Sequence, residues 1–269
     1  MIEVSVTITT RNEAINIGRC LASVDKQSYG RDKIEVIVID NSSIDNTQEV
    51  VRGYNCQLYT YGPERSAQRN LAAQKAKGEF ILFLDADMEL SEDVVLECIR
   101  KCREEGLAAL YIPEKIIGKG FWIKVRNFER SFYNATVIDC VRFVRKEAFL
   151  QINGFDESLT GPEDWDFDRR IRERYPVGII NANIYHHEGV FNLKRYISKK
   201  MYYSSSFRKY KNKWGSSDRI IKKQFGFLYR FFGIFLRKGN WIKLLLHPIL
   251  TLGMYMLRFS VGLAYLSKV

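Results

Sequence analysis

The chain has 269 residues, 46% of them hydrophobic, with a formal net charge of +11. That length can bury a substantial core, as one large domain or one domain with an appendage. Its five cysteines (20, 56, 98, 102 and 140) contain no C-x-x-C pair and no histidine at zinc-finger spacing, so neither a disulfide framework nor a zinc finger is expected. The opening MIEVSVTIT already reads as a strand, not a secretion signal, which with an odd cysteine count points to a reducing, cytosolic setting.

The charge is unevenly divided. Residues 189–269 hold 17 Lys/Arg and a single acid, Asp218, whereas residues 1–188 hold 25 Lys/Arg and 30 acids. A mildly acidic body is therefore joined to a strongly basic, aromatic-rich tail. Such a tail is expected to meet an anionic surface, either lipid headgroups or nucleic acid. A solvated helical face is the plainer reading, but so large an excess of positive charge strains it.

Taken in order, strand-like and helix-like segments alternate. The pattern predicts strands at 4–8, 34–39, 57–60 and 80–84, helices at 14–26, 47–54, 66–77 and 91–105, and an extended stretch at 107–112. Repeated βα units imply a parallel sheet covered by helices on both faces. Cys98 and Cys102, four apart, fit a core-facing helical stripe better than a metal site. No G-x-G-x-x-G follows the first strand and no G-x-x-x-x-G-K-[ST] occurs, which argues against dinucleotide oxidoreductases and P-loop enzymes.

The stretch GEFILFLDADM carries the chemistry. An apolar run ends abruptly in Asp85 and Asp87, which alternation along an extended chain would place on one side of the strand's carboxyl end. Open α/β sheets bind ligands there, and two hard oxygen donors suit Mg²⁺ or Mn²⁺. The plainer reading is a polar turn, with Ser91 capping a helix. The neighbouring strand ends are polar as well: Thr9-Thr10-Arg11-Asn12-Glu13 after the first, and Asp40-Asn41-Ser42-Ser43 after the second. Capping by Asn12 and Asp45 accounts for one polar residue per loop, not for three loops. The loops are expected to meet in one crevice lined by Arg11, Asp40, Asp85 and Asp87.

The order TTRNE, VIDNSSIDNT, ERSAQRN, GEFILFLDADM, INGFDESLTGPEDWDFDRRI and IYHHEG resembles the inverting family 2 glycosyltransferases of the GT-A fold, over residues 2–190. The resemblance implies a GT-A catalytic domain at 1–190, a nucleotide-sugar donor, a divalent cation (Mn²⁺ or Mg²⁺) and transfer with inversion. It implies that Thr9, Arg11 and Glu13 line the nucleoside pocket, with Asp40 facing the base and Arg69 near the nucleotide. Asp85 would approach the ribose or metal, and Asp87 would ligate the metal. Gln68 stands where the family often has a small residue.

Glu163 and Asp164 open a helix, where first-turn acids are favoured by the helix dipole alone. Direct displacement needs a base to take the acceptor's proton. The family's Glu-Asp motif implies Asp164 in that role, with Glu163 as alternate or positioning group. Extended residues point to opposite faces, so at most one of His186 and His187 can reach the metal. His186 matches the family's metal-shell histidine best, and His187 stays open. Residues 114–137 read equally as a loop over the acceptor or an amphipathic helix. After the base, DRRIRERYP lacks the Q-x-x-R-W of processive synthases, so one addition per encounter is expected.

The tail, residues 191–269, contains a basic stretch at 192–213, a Phe/Leu-rich stretch at 225–237 and an apolar run at 244–266 broken by His247, Pro248 and Arg258. About 20 apolar residues span a bilayer. Helices lying in the interface, with Lys and Arg on phosphate headgroups, fit the pattern better than a spanning helix. A helical cap on the body is the alternative. The expected setting is the cytoplasmic face of a membrane, with a lipid-linked or envelope glycan as acceptor, a UDP-sugar favoured over a GDP-sugar, and no nucleic acid. A sugar nucleotidyltransferase would need a Gly-rich signature near the first strand. A non-enzymatic basic membrane- or nucleic-acid-binding module would leave the acidic crevice unexplained.

Overall fold

The computed structural model describes residues 1–266. In its first half, β1 (Val4–Thr10), α1 (Ile17–Asp25), β2 (Ile34–Asp40), α2 (Thr47–Arg52), β3 (Gln57–Thr60), α3 (Arg65–Lys75) and β4 (Phe80–Asp85) follow the predicted alternation. Then come β5 (Met88–Leu90), α4 (Val94–Glu104), β6 (Ala109–Tyr111), β7 (Glu114–Lys119), α5 (Phe121–Arg130), β8 (Phe143–Arg145) and α6 (Lys146–Gln151). The body closes with α7 (Glu163–Arg172), β9 (Val177–Ile179) and β10 (Ile184–Val190).

Seven strands form the main sheet, in the order β3-β2-β1-β4-β8-β6-β9. The pairs β1–β2, β1–β4, β2–β3 and β6–β9 are parallel, but β8 runs antiparallel between β4 and β6. The sheet is therefore mostly, not wholly, parallel. A second sheet that the sequence did not suggest, β5-β10-β7, sits beside the end of β4.

The apolar run of β4 makes sense once both faces are covered. Phe80, Leu82 and Leu84 join Val4, Val6, Ile8 and helices α1 and α4 in one core. Ile81 and Phe83 join α3, α6 and α7 in the other, where Phe83 meets Phe149, Phe155 and Phe167. Strands buried on both faces lose the polar alternation of exposed ones. Cys98 and Cys102 are both fully buried in the first core. Ile15, expected on the helix, lies before α1 and is 89% exposed. The loop delays the helix: Asn12 adopts φ 54°, and the Ala14 N–H donates to Asp45 Oδ2 at 3.2 Å.

Asp168 is buried between the second core and β8, 3% exposed, where its Oδ1 accepts from the Val141 N–H at 3.1 Å. Burial pushes its carboxyl up to about 7. The folded chain thus holds a proton there that the unfolded chain releases near its ordinary value of 3.8. The contribution to stability is best below that value, falls as pH rises toward 7, and stays unfavourable above. Asp168→Asn keeps an acceptor for Val141 and removes the charge. Its gain over the native chain should grow between pH 4 and 7, by up to ~1.4 kcal/mol per pH unit. Urea unfolding at pH 5 and 8 measures this; an equal difference at both values would refute it.

The tail folds back on the body. It comprises α8 (Leu193–Tyr203), α9 (Phe207–Trp214), α10 (Arg219–Phe225), a π-helical turn (Tyr229–Gly233), α11 (Ile234–Leu236), α12 (Trp241–Leu246) and α13 (Pro248–Leu266). The predicted basic helix at 192–213 is split by a 3₁₀ turn at Ser204–Ser206. Residues 114–137 form β7 and then the amphipathic α5, whose Val125 and Phe128 pack with Phe132, Ile234, Phe235, Met254 and Leu257 in a third core. Arg258 of α13, 9% exposed, donates to Glu129 Oε1 at 2.6 Å. Arg169 grips Asp218 through two bonds, of 2.9 and 3.0 Å.

The outward face of this tail stays apolar. Leu245, Ile249, Leu252, Met256, Phe259 and Leu263 are all more than half exposed and recur at helical spacing. The apolar run at 244–266 is interrupted at His247, between α12 and α13. Among the described residues no helix is long and apolar enough to cross a membrane.

Candidate active site

The parallel strands β1, β2 and β4 end side by side, with Thr9 opposite Asp85 and Thr10 opposite Asp40 in register. Their loops meet at one crevice, as expected where an open sheet presents its carboxyl ends. Gln68 ties this edge together, donating to the Ile39 carbonyl at 2.8 Å and to that of Thr10 at 3.4 Å. The departure at position 68 is thus a brace between β1 and β2.

Asp85 is the anchored member of the acidic pair. Its Oδ1 accepts from Thr9 Oγ1 at 3.1 Å and from Arg69 Nη2 at 3.0 Å, and Arg65 lies 3.9 Å from Oδ2. Burial opposes its charge, yet Arg69 and Arg65 hold the carboxyl well below the usual range. Arg69, 1% exposed, reaches from Asp85 to Asp164, donating from Nη1 to Asp164 Oδ1 at 2.6 Å. A guanidinium is suited to this bridging because its donors form a rigid fork.

Asp87 is held differently. The strand stops at Asp85 and the chain turns through Ala86 into β5, so the two aspartates are not set by alternation along one strand. The Asp87 carbonyl accepts from the His187 N–H at 2.9 Å, and Met88 pairs with His186 across β5 and β10. Asp87 Oδ2 lies 3.0 Å from His186 Nε2, while its Oδ1 is buried with no hydrogen-bond partner among the described residues. His186 Nδ1 is 3.0 Å from Glu114 Oε1. Burial works against an imidazolium there, but the bonds to Asp87 and Glu114 outweigh it and raise its pKa to about 10. His187 points the other way, to Glu89 at 2.7 Å.

A divalent cation fits this corner. The orphaned Asp87 oxygen is a hard donor, and His186 Nε2 stands beside it and would ligate once the incoming cation displaces its proton, while Glu114 can hold the imidazole by its other nitrogen. Among the described residues no three His, Cys, Asp or Glu side chains group closely enough to hold a metal unaided. Such sites suit ions that take one or two protein ligands and complete their shell with phosphate and water.

Glu163 and Asp164 open α7 and differ in exposure. Glu163 has a side chain 3% exposed, with Oε1 accepting from Arg65 at 2.8 Å and Oε2 buried without a partner among the described residues. Burial raises its carboxyl pKa, the Asp164 charge adding to the effect. Asp164 is 28% exposed, and among the described residues only its Oδ1 is engaged, by Arg69. The preceding Gly161 has φ +103°, and a Cβ there would sit 2.2 Å from the Tyr203 carbonyl of α8. The loop before α7 is thus pressed against the tail, which brings the ring of Tyr203 5.0 Å from the Arg65 guanidinium.

The remaining predicted residues divide. Glu13 is half-buried at the crevice, where burial raises its carboxyl pKa, Asp87 adds to the shift, and Asn16 donates to Oε2 at 2.7 Å. Arg11 is exposed beside it, with no side-chain partner among the described residues. Asp40 does not line the crevice. It is fully buried, and its Oδ2 accepts from the Ser43 N–H at 2.9 Å and from Gln48 at 2.7 Å. The loop turns back on it through Ser42, at φ 50°, so the carboxylate closes its own loop. Arg65, Glu114 and Arg142, which lies 3.4 Å from Glu114, went unnoticed in the sequence. Only the ERSAQRN segment hinted at Arg65.

The model of glycosyl transferase family 2 matches residues 5–153, more than half of the chain. Among similar proteins, the poly(ribitol-phosphate) beta-N-acetylglucosaminyltransferase TarS of Staphylococcus aureus is 26% identical over 76% of this chain and 39% of its own. Glycosyltransferase AglE of Haloferax volcanii is 37% identical over 31% of this chain and 30% of its own. The chain thus spans well under half the length of these two relatives. A Campylobacter jejuni GalNAc(5)-diNAcBac-PP-undecaprenol beta-1,3-glucosyltransferase is 26% identical over 61% of this chain and 58% of its own. Among solved structures, S. aureus TarS 1-349 in complex with UDP-GlcNAc superposes with a TM-score of 0.58, at 21% identity over 77% of this chain and 66% of that one. The mannosyltransferase PcManGT from Pyrobaculum calidifontis, in complex with GDP-Man and Mn²⁺, gives a TM-score of 0.62 at 20% identity, over 97% and 75%. These likenesses establish the GT-A fold, and with the family match over residues 5–153 the chain belongs to glycosyl transferase family 2.

Proposed function

We propose that this chain is a metal-dependent, inverting glycosyltransferase that moves a sugar from a nucleotide-sugar donor to a hydroxyl of a lipid-linked or envelope glycan. It adds one sugar per encounter and works at the cytoplasmic face of a membrane. A UDP-sugar is the favoured donor and a GDP-sugar the alternative; solved relatives hold one of each. The observation that carries the reading is the contrast between the two acids left available at the crevice. Asp87 keeps one oxygen unpartnered beside His186, and Asp164 keeps one oxygen unengaged beyond Arg69.

In this reading Asp87 and His186 would hold the cation, with Glu114 fixing the imidazole. When bound, the cation offsets charge on the departing diphosphate. Asp164 Oδ2 takes the proton of the acceptor hydroxyl as its oxygen attacks the anomeric carbon. Arg69 sets the orientation of that carboxylate and ties it to Asp85. Glu163 is a positioning residue, since burial and Arg65 keep it from the acceptor. The exposed face of α12 and α13, with the basic residues around it, is the surface for anionic lipid.

Calorimetric titration of UDP and of GDP, each with Mn²⁺ and with EDTA, tests this. Binding of one nucleotide that depends on Mn²⁺ is the expected result. Metal-independent binding, or none of either nucleotide even with anionic vesicles present, would overturn the reading.

A further inference from the structure

The tail does more than cover the body: the end of α8 is fastened to the segments that carry the crevice acids. Three contacts surround it. The Tyr202 hydroxyl donates to Glu64 Oε1, on the residue that precedes α3. The Ser206 hydroxyl accepts from the Thr160 N–H at 2.9 Å, in the loop before α7. Trp165, beside Asp164 in α7, stacks on Phe207 at 6.0 Å, with 20° between the ring planes. These contacts lie on both sides of Tyr203 in the chain and leave its position little freedom. Gly161, at φ +103°, lets the Tyr203 backbone come where a Cβ would stand.

The ring of Tyr203 meets Arg65. Its centroid is 5.0 Å from the guanidinium, within the range of a cation–π contact. The Arg65 side chain is 31% exposed, so much of it is already out of water, where such contacts strengthen. The Tyr203 hydroxyl has no hydrogen-bond partner among the described residues, so the ring face is what Arg65 gains. Arg65 in turn serves two acids unequally. Its Nη2 donates to Glu163 Oε1 at 2.8 Å, while its Nη1 lies 3.9 Å from Asp85 Oδ2. Asp85 keeps Thr9 and Arg69, at 3.1 and 3.0 Å, whatever Arg65 does. Glu163 has no other side-chain partner among the described residues, and its second oxygen is buried unpaired. An arginine has several rotatable bonds, and a ring packed on its head restricts them. Without that ring, Arg65 would leave Asp85 in place but loosen the first turn of α7, where Asp164 stands.

We propose that Tyr203, a residue of the tail, is a positioning residue for sugar transfer: its ring holds Arg65 against Glu163 and so fixes the start of α7 that presents Asp164. The catalytic unit then extends from the body into the tail as far as the end of α8. This rests on the reading of Asp164 as the base and adds the group that steadies it.

The test uses the whole chain with Mn²⁺, water as the acceptor, and release of free UDP or GDP as the readout. UDP-glucose, UDP-GlcNAc, UDP-galactose and GDP-mannose serve as donors. Tyr203→Leu keeps an apolar side chain without a ring face. It should lower turnover by about tenfold, the scale of one partly desolvated cation–π contact, with KM for the donor close to native. Tyr203→Phe should recover most of that loss, because the ring returns. Native-like turnover in Tyr203→Leu, or a loss that phenylalanine does not recover, would overturn the proposal. So would a raised KM with unchanged turnover, which would make Tyr203 a donor contact. Arg65→Met gives a check that needs no donor. In urea unfolding, its loss and that of Tyr203→Leu should fall short of adding in the double variant, and additive losses would overturn the proposal. Asp164→Asn, run beside them, keeps the readings apart. Near-native turnover there would overturn the base assignment and this proposal together. A large loss there with native-like Tyr203→Leu would overturn this proposal alone. Release from none of the four donors by the native chain would remove the donor reading, and the proposal with it.

Discussion

Asp164→Asn should lower sugar transfer by roughly 10²–10⁴-fold while leaving donor binding close to native, the loss expected when a general base is removed. The substitution is nearly isosteric, and an amide oxygen can still accept from Arg69 Nη1, now 2.6 Å from Asp164 Oδ1. Arg69 therefore keeps its bond to Asp85, and the crevice keeps its shape. What disappears is the capacity of Oδ2 to accept a proton. Glu163→Gln makes the matched control. Its side chain is almost fully buried on Arg65, so its effect should be smaller and felt in binding as well as in turnover. Single-turnover rates with saturating donor separate the two. Near-native turnover in Asp164→Asn would move the base elsewhere.

The second large effect belongs to Asp87→Ala. It removes the buried oxygen that has no hydrogen-bond partner among the described residues, together with the partner of His186 Nε2. The affinity gained for UDP or GDP on adding Mn²⁺ should fall at least tenfold, since losing even a group that supports a metal ligand costs about 10–100-fold. Binding in EDTA should change little, because Arg69, Thr9 and Asp85 do not depend on Asp87. An unchanged response to Mn²⁺ would exclude Asp87 as a ligand. Glu114→Gln tests the supporting role: it retains a hydrogen-bonding group for Nδ1 while removing a charge, and should weaken the Mn²⁺ response less.

Much of this site is written in short stretches of sequence. The run Phe80–Leu84 ending in Asp85 marks a buried strand and its ligand-binding end, because apolar runs and their polar stops are local patterns. The same holds for β1 and β2, and for the acids opening α7. The excess of positive charge in the tail can be counted without a structure. The boundaries of α1 and the role of Asp40 could not be read this way. Both depend on loops that fold back through positive φ at Asn12 and Ser42, which the sequence only weakly signals.

The sequence by itself determined the alternation of strands and helices through β4, the family, and which acids stand at the strand ends. Only the tertiary structure decided how those acids are paired. Arg69 holds Asp85 and reaches Asp164 across 95 positions, and Glu114 reaches His186 across 72. That His186 and not His187 faces Asp87 follows from the pairing of Met88 with His186 in a second sheet, since a one-residue slip would exchange their faces. Likewise, the tail's composition predicted basic, apolar helices, but the fold separated the face of α13 that Arg258 anchors from the face left bare. Local patterns record which side chains a segment carries. Register and packing between distant segments decide which of them meet.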